Sequence, residues 1–131
     1  MNKSQQIPLV ICLATIVAVC FSAWHVNAAD EKQNVIEDVM KTYHKAPKGT
    51  DPVCKKAIDG KASPEELKKL VAAYKSMLGT KAPKGDEASW KEKTTKLYAA
   101  AQGLEKGGAE AIAKYKDAVN CKACHSAHKP D

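Results

Sequence analysis

Proline and glycine divide the chain beyond residue 28 into four long helical segments, and this punctuation restricts the fold more than any other feature. The segments cover about residues 30–45, 63–78, 86–106 and 109–129. Each carries apolar side chains three and four residues apart, which is the spacing of one helix face. A single helical turn is predicted at residues 51–58, and no segment shows the period of two that a half-buried strand requires. We therefore predict an all-α fold, an antiparallel four-helix bundle.

The first 28 residues have the pattern of a secretory signal peptide. Lys3 supplies a basic start, residues 7–21 are mostly apolar, and Val26-Asn27-Ala28 offers the small residues that a signal peptidase selects. This apolar run is short for a membrane span, which needs about 20 residues. Cleavage after Ala28 is predicted, leaving one domain at 29–131 with no membrane span, in the periplasm or an equivalent extracytoplasmic compartment. A retained N-terminal anchor is the alternative.

The remaining chain is basic, with 20 lysines against 15 acidic residues and no arginine. Lysine without arginine suits a solvated surface better than the forked recognition of phosphate. Basic and aromatic residues are not interleaved, so nucleic acid is not an expected partner. The lysines are interpreted as solvated helix faces that could also steer acidic redox partner proteins.

Cysteine arithmetic leaves one thiol to be explained. Cys12 and Cys20 lie in the predicted signal peptide, so the mature domain keeps Cys54, Cys121 and Cys124. An exported protein folds in an oxidising compartment, where any pairing of three cysteines leaves one over.

The last helical segment carries the motif Cys121-Lys122-Ala123-Cys124-His125. The pattern C-x-x-C-H is that of c-type haem attachment. On a helix its three functional side chains share one face, so both thiols can bond the macrocycle while His125 binds iron as the proximal ligand. The domain is also poor in large apolar side chains, and a haem would supply the missing apolar volume. One covalently bound haem c is predicted.

Three other interpretations of these cysteines were weighed. A plain disulfide between Cys121 and Cys124 leaves His125 without a role. A thioredoxin-like pair needs a βαβ context and a cysteine activated at a helix N-terminus, whereas this pair is predicted near a helix C-terminus. Zinc held by Cys54, Cys121, Cys124 and His128 is chemically possible, but it would not supply the apolar volume that the core of the small bundle lacks.

With these features the chain resembles the cytochrome c′-like (class II) c-type cytochromes. The shared features are the signal peptide, the four helices and the motif at the end of the last one. Phrases such as Gly60-Lys61-Ala62-Ser63 are similar to those of small planctomycete cytochromes, among which are subunits of a heterodimeric low-potential complex of anammox bacteria. The resemblance implies a homodimer or a heterodimer with a related cytochrome. It also implies a first-helix residue over the open haem face, which by position is Met40.

Two residues therefore compete for the distal side of the iron. Met40 is an alternative distal ligand or a residue of the haem pocket, and an ordinary core methionine is the bland alternative. Cys54 is the leftover thiol and is favoured as the distal ligand; a small buried side chain or an intermolecular disulfide are its alternatives. His44 is expected to be a surface residue near the helix end. His128 and Tyr115 stay possible haem neighbours.

The identity of the distal ligand decides between two classes of function. A thiolate stabilises ferric iron and lowers its potential, whereas a thioether raises it. The favoured function is electron transfer by a mono-haem cytochrome of low potential with a displaceable distal ligand. The alternative is the binding or sensing of a diatomic gas, NO or CO. No convincing acid–base pair accompanies the motif, so the protein is not expected to be an enzyme.

Overall fold

In a computed structural model, which describes the backbone of residues 28–131 and the side chains of residues 35–131, the protein is built from helices joined by short loops. They are α1 Ala28–Tyr43, α2 Val53–Ile58, α3 Pro64–Met77, α4 Glu87–Lys106, α5 Ala109–Ala118 and α6 Cys121–His128. No strand occurs within these described residues, so the all-α prediction is confirmed. The predicted signal peptide, with Cys12 and Cys20, lies outside them.

Local capping sets the start of most helices. Ser63 opens α3 with a capping box, since its hydroxyl accepts from the Glu66 amide at 3.1 Å and the Glu66 carboxylate accepts from the Ser63 amide at 2.8 Å. Asp86 caps α4 by accepting from the Ser89 amide at 2.7 Å, so Ser89 lies inside the first turn. The pair Asp51-Pro52 predicts Asp51 as the cap of α2, and this prediction is wrong, because Pro52 occupies the N-cap position and no side chain caps this helix.

The last predicted helix is broken in two. The sequence pattern predicts one unbroken helix over residues 109–129, but α5 ends at Ala118 and α6 begins at Cys121. Asn120 causes the break, because its side-chain oxygen accepts from the Ala123 amide at 3.0 Å and so starts a new helix. Asparagine competes with the helix backbone for hydrogen bonds in this way, which makes it a better cap than an interior residue.

The long helices pack in the order of the chain. α1 lies against α3, α3 against α4 and α4 against α5, while the short α2 contacts both α3 and α5. The side chains of Leu70, Tyr74 and Tyr115 are fully buried at the centre of this arrangement. Among the helices of residues 28–131, none combines the length and the apolar character needed to cross a bilayer. The antiparallel four-helix topology stays a prediction.

Candidate haem-attachment site

The attachment motif forms the first turns of α6. Cys121 is the first residue of the helix, and Cys124 and His125 follow one turn later. All three described cysteines are free thiols. Cys121 and His125 are exposed and Cys124 is half-buried, so one side of a short surface helix presents two thiols and an imidazole. This donor set suits a haem held by two thioether bonds and a proximal histidine.

The position of the cysteines differs from the one predicted. They were expected near a helix C-terminus, but the break at Asn120 puts Cys121 at a helix N-terminus. A helix N-terminus lowers a thiol pKa in thioredoxin-like proteins. Burial raises the pKa of the Cys124 thiol, although the charge of Lys93 opposes this. The described residues contain no strand for a βαβ unit, and on that ground the thioredoxin-like interpretation fails.

The four side chains of the zinc alternative do not come together. His128 is buried, with Nδ1 2.9 Å from the Lys84 carbonyl oxygen and Nε2 3.1 Å from the Ser89 hydroxyl. Both ring nitrogens are occupied, so neither is free for a metal. Across residues 35–131 no three metal-ligating side chains cluster.

Cys54 comes close to the motif from another part of the chain. It lies in α2 with 8% of its surface exposed. Burial raises the pKa of its thiol, and the negative charge of Cys121 raises it further. Cys54 belongs to the hydrophobic core, and Cys124 of the motif packs against that core, although 70 positions separate the two in sequence. The structure thus brings the leftover thiol and the motif to the same core.

Met40 has a less distinctive environment. Its side chain is half-buried on α1 and packs against the hydrophobic core. Such contacts are those of an ordinary core methionine. A role for Met40 at the iron stays a prediction.

His44 is not the surface residue that was predicted. It follows α1 directly, is half-buried, and its Nε2 lies 3.0 Å from the hydroxyl of Tyr74 in α3. Burial lowers the pKa of His44 to about 4, and the positive charge of His125 lowers it as well. The prediction failed because a helix end is exposed only when no other helix covers it, and here α3 does.

Two tyrosines at the centre of the molecule complete this group. The hydroxyls of Tyr74 and Tyr115 lie 2.7 Å apart, and each side chain is fully buried. Burial raises the pKa of both phenols, and the charges of Cys54 and Cys121 raise both further. The apolar spacing of the 63–78 segment predicts Tyr74 only as one member of the apolar face of α3. The signal was present as two inward-facing tyrosines, because a buried phenol needs a hydrogen-bonding partner.

The candidate site therefore draws on five helical regions: the end of α1, the whole of α2, α3 and α5, and the start of α6. Six side chains from these regions enter the pKa shifts described above; they are His44, Cys54, Tyr74, Tyr115, Cys121 and His125. Comparison of the chain with protein-family models, with curated proteins and with solved structures gave no match.

Proposed function

We propose that this protein is a mono-haem c-type cytochrome of the cytochrome c′-like kind, which transfers electrons at low potential. The observation that carries the proposal is that the buried Cys54 lies in the core against which Cys124 of the C-x-x-C-H motif packs. A third thiol beside a C-x-x-C-H motif has a chemical use as an iron ligand, and this use explains how it stays unpaired in an oxidising compartment.

Each residue has a separate task in this proposal. Cys121 and Cys124 hold the porphyrin through thioether bonds, and His125 is the proximal ligand. Haem iron supplies one-electron exchange between its ferric and ferrous states. Cys54 is the distal ligand, with Met40 as the alternative distal ligand or a residue of the pocket.

A Cys54 thiolate as ligand would favour a low potential in the desolvated core beside the motif. Desolvation lowers the pKa of His44 and raises the pKa values of Tyr74 and Tyr115, so the surroundings of the site disfavour isolated charge. An anionic thiolate from Cys54 would compensate the extra charge of ferric iron better than that of ferrous iron. A larger preference for the ferric state means a lower reduction potential.

Binding of a diatomic gas is the second candidate function, and the protonation of Cys54 favours it. Burial raises the pKa of this thiol, so a thiolate without a cation beside it is unfavourable at this position. If haem is bound, Cys54 would be the residue that takes up a proton and gives way when the iron is reduced, and a bound haem would then supply a binding position for NO or CO.

The surface around the motif suits an acidic partner. α6 contains no acidic residue, while Lys122 and Lys129 are exposed within and just after it. Within the described residues, neither lysine takes part in an ion pair with a carboxylate. We infer docking of acidic redox proteins at this face and export to the periplasm or an equivalent compartment. A four-helix bundle of α1, α3, α4 and α5 that pairs as a homodimer or a heterodimer belongs to the same proposal.

Covalent attachment is tested first. Replacement of both Cys121 and Cys124 by alanine should leave no haem on the chain after denaturation and acid–acetone extraction, whereas Cys54→Ala should retain it. The wild-type pyridine haemochrome spectrum should be that of two thioether bonds. Wild-type protein without covalent haem would contradict the proposal.

The distal ligand is tested by ferric absorption and EPR spectroscopy. Wild-type protein should be low-spin with a thiolate-type spectrum, and Cys54→Ala should abolish that spectrum. Met40→Leu is the matched control and should leave it unchanged. An unchanged spectrum in Cys54→Ala would exclude Cys54 as the ligand, and a changed one in Met40→Leu alone would assign the position to Met40.

Addition of CO to the reduced protein separates the two functions. A displaceable Cys54 predicts that ferrous wild-type protein binds CO, with a faster rate in Cys54→Ala because no ligand has to leave first. Ferrous protein inert to CO would favour the pure electron carrier.

A further inference from the structure

The side chain of His128 attaches α6, the helix that carries the C-x-x-C-H motif, to the rest of the protein. His128, the last residue of α6, is 2% exposed and is the single buried residue of that helix. Cys124 is half-buried, and the other six residues of α6 are exposed. A helix of eight residues is too short to be stable in water by itself. The position of α6 therefore depends on what holds His128.

The hydrogen bonds of His128 require a proton on Nδ1. Nδ1 lies 2.9 Å from the carbonyl oxygen of Lys84, and Nε2 lies 3.1 Å from the hydroxyl of Ser89. A carbonyl oxygen only accepts, so Nδ1 carries a proton and donates it. The Ser89 hydroxyl can donate or accept, so it pairs with Nε2 in either state.

The imidazole of His128 packs against the loop between α3 and α4 and against the first turn of α4. The Trp90 ring meets it edge-on, with ring centroids 5.4 Å apart. Trp90 is itself fixed, because its Nε1 donates to the carbonyl and hydroxyl oxygens of Thr80, each at 3.1 Å. Gly85 has a φ of +80°, and a Cβ there would lie only 2.6 Å from the carbonyl oxygen of Ala127. A side chain at position 85 would push the loop and α6 apart.

We propose that His128 is a positioning residue, which holds α6 against the loop before α4 and the first turn of α4 and thereby orients Cys121, Cys124 and His125. The significance of this orientation rests on the proposed haem attachment. His125 and His128 lie three residues apart and so are neighbours on α6. Fixing the last turn of so short a helix fixes the direction of its first turn, where the thiols lie. Haem then meets a site that is already ordered, which lowers the entropic cost of attachment.

The tautomer is tested on the wild-type protein. ¹⁵N NMR of full-length protein should show a proton on Nδ1 of His128. A ring without a proton on Nδ1 would overturn the proposal, because it cannot donate to the Lys84 carbonyl. This measurement does not depend on any variant being able to fold.

Hydrogen exchange tests whether His128 holds α6 in place. In His128→Leu we expect amides of residues 121–129 to exchange about tenfold faster or more, while amides of α3 and α4 keep their protection. His128→Asn, whose amide can still donate to Lys84, should recover part of the protection. Ser126→Ala is the matched control, since its hydroxyl bonds only the Ala123 carbonyl within α6. Unchanged exchange in His128→Leu, or faster exchange spread evenly over all helices, would contradict the proposal.

Gly85→Ala reaches the same contact from the other side. It should also accelerate exchange across α6 without altering His128 itself. In Gly85→Ala and His128→Leu, the fraction of chains with two thioether bonds, read from the pyridine haemochrome spectrum, should fall. An undiminished fraction together with fast exchange would overturn the positioning role. Hydrogen exchange is measured separately from haem attachment. Wild-type protein without haem would therefore count against the proposed function and not against the positioning role of His128.

Discussion

A row of two hydrogen bonds, from His44 to Tyr74 and from Tyr74 to Tyr115, connects the end of α1 with α3 and α5. Tyr74 occupies the middle, with its hydroxyl 3.0 Å from His44 Nε2 and 2.7 Å from the Tyr115 hydroxyl. If His44 accepts, Tyr74 donates to it and accepts from Tyr115. Since both rings are fully buried, no water can replace a lost partner cheaply.

Removal of the two hydroxyls should therefore have unequal effects. Tyr74→Phe leaves both His44 and Tyr115 without a partner and should lower the free energy of unfolding by about 2–3 kcal/mol. Tyr115→Phe leaves the bond between Tyr74 and His44 intact and should cost about 1 kcal/mol. Urea unfolding measures both. A larger cost for Tyr115→Phe would contradict the row as described.

The depressed pKa of His44 predicts a dependence of stability on pH. The folded-state pKa of about 4 lies below the ordinary value of 6.5, so between these two the unfolded chain binds more protons. The free energy of unfolding should therefore fall as the pH is lowered through this window, by at most about 3 kcal/mol. Unfolding from pH 7 to pH 4.5 checks the slope, which His44→Gln should flatten. An equal slope in His44→Gln would show that other groups cause it.

At the scale of the helix, the break between α5 and α6 depends on Asn120. Its side chain accepts from the Ala123 amide, a donor that would otherwise have no partner at the start of α6. Without this cap the first turn, which contains Cys121, should fray.

Substitution of Asn120 tests the cap. Asn120→Ala should lower the free energy of unfolding by about 1 kcal/mol, whereas Asn120→Ser, which can still cap, should cost a few tenths. Chemical unfolding of the three proteins makes the comparison. Equal costs for alanine and serine would mean that the side chain contributes something other than the cap.

At the scale of the whole molecule, the helices are not equally well attached. α3 packs against both α1 and α4, and α4 packs against α3 and α5, whereas α3 is the main packing partner of α1. Several ion pairs on the surface are exposed i,i+4 pairs within one helix, such as Lys41 with Glu37 and Lys69 with Glu65. Pairs of this kind contribute little to stability and nothing to the attachment of one helix to another.

Native-state hydrogen exchange should rank the helices accordingly. Amides of residues 35–43 in α1 should exchange about tenfold faster or more than those in α3 and α4, because local opening is cheapest where the fewest contacts must break. In Tyr74→Phe, which loses the bond to His44, the α1 amides should exchange faster still. Equal protection of α1 and α4 would indicate that the domain opens only as one unit.

Much of the secondary structure could be predicted, because it depends on residues close together in sequence. The pattern Ser63-Pro64-Glu65-Glu66 by itself predicts the capping box that starts α3, and the single turn predicted at residues 51–58 corresponds to α2. The end of α5 was missed, since an asparagine inside an apolar pattern can either continue a helix or start a new one. Its own bond to Ala123 decided in favour of a new one.

The sequence by itself determined that the described domain is helical and that Cys121, Cys124 and His125 share one helix face. Both properties follow from the spacing of neighbouring residues. Only the tertiary structure decided that Cys54 and His44 come within electrostatic reach of that motif and that His128 is buried. Those facts depend on contacts between helices that are far apart in sequence. Such contacts result from the packing of the whole core, and no local sequence pattern encodes that packing.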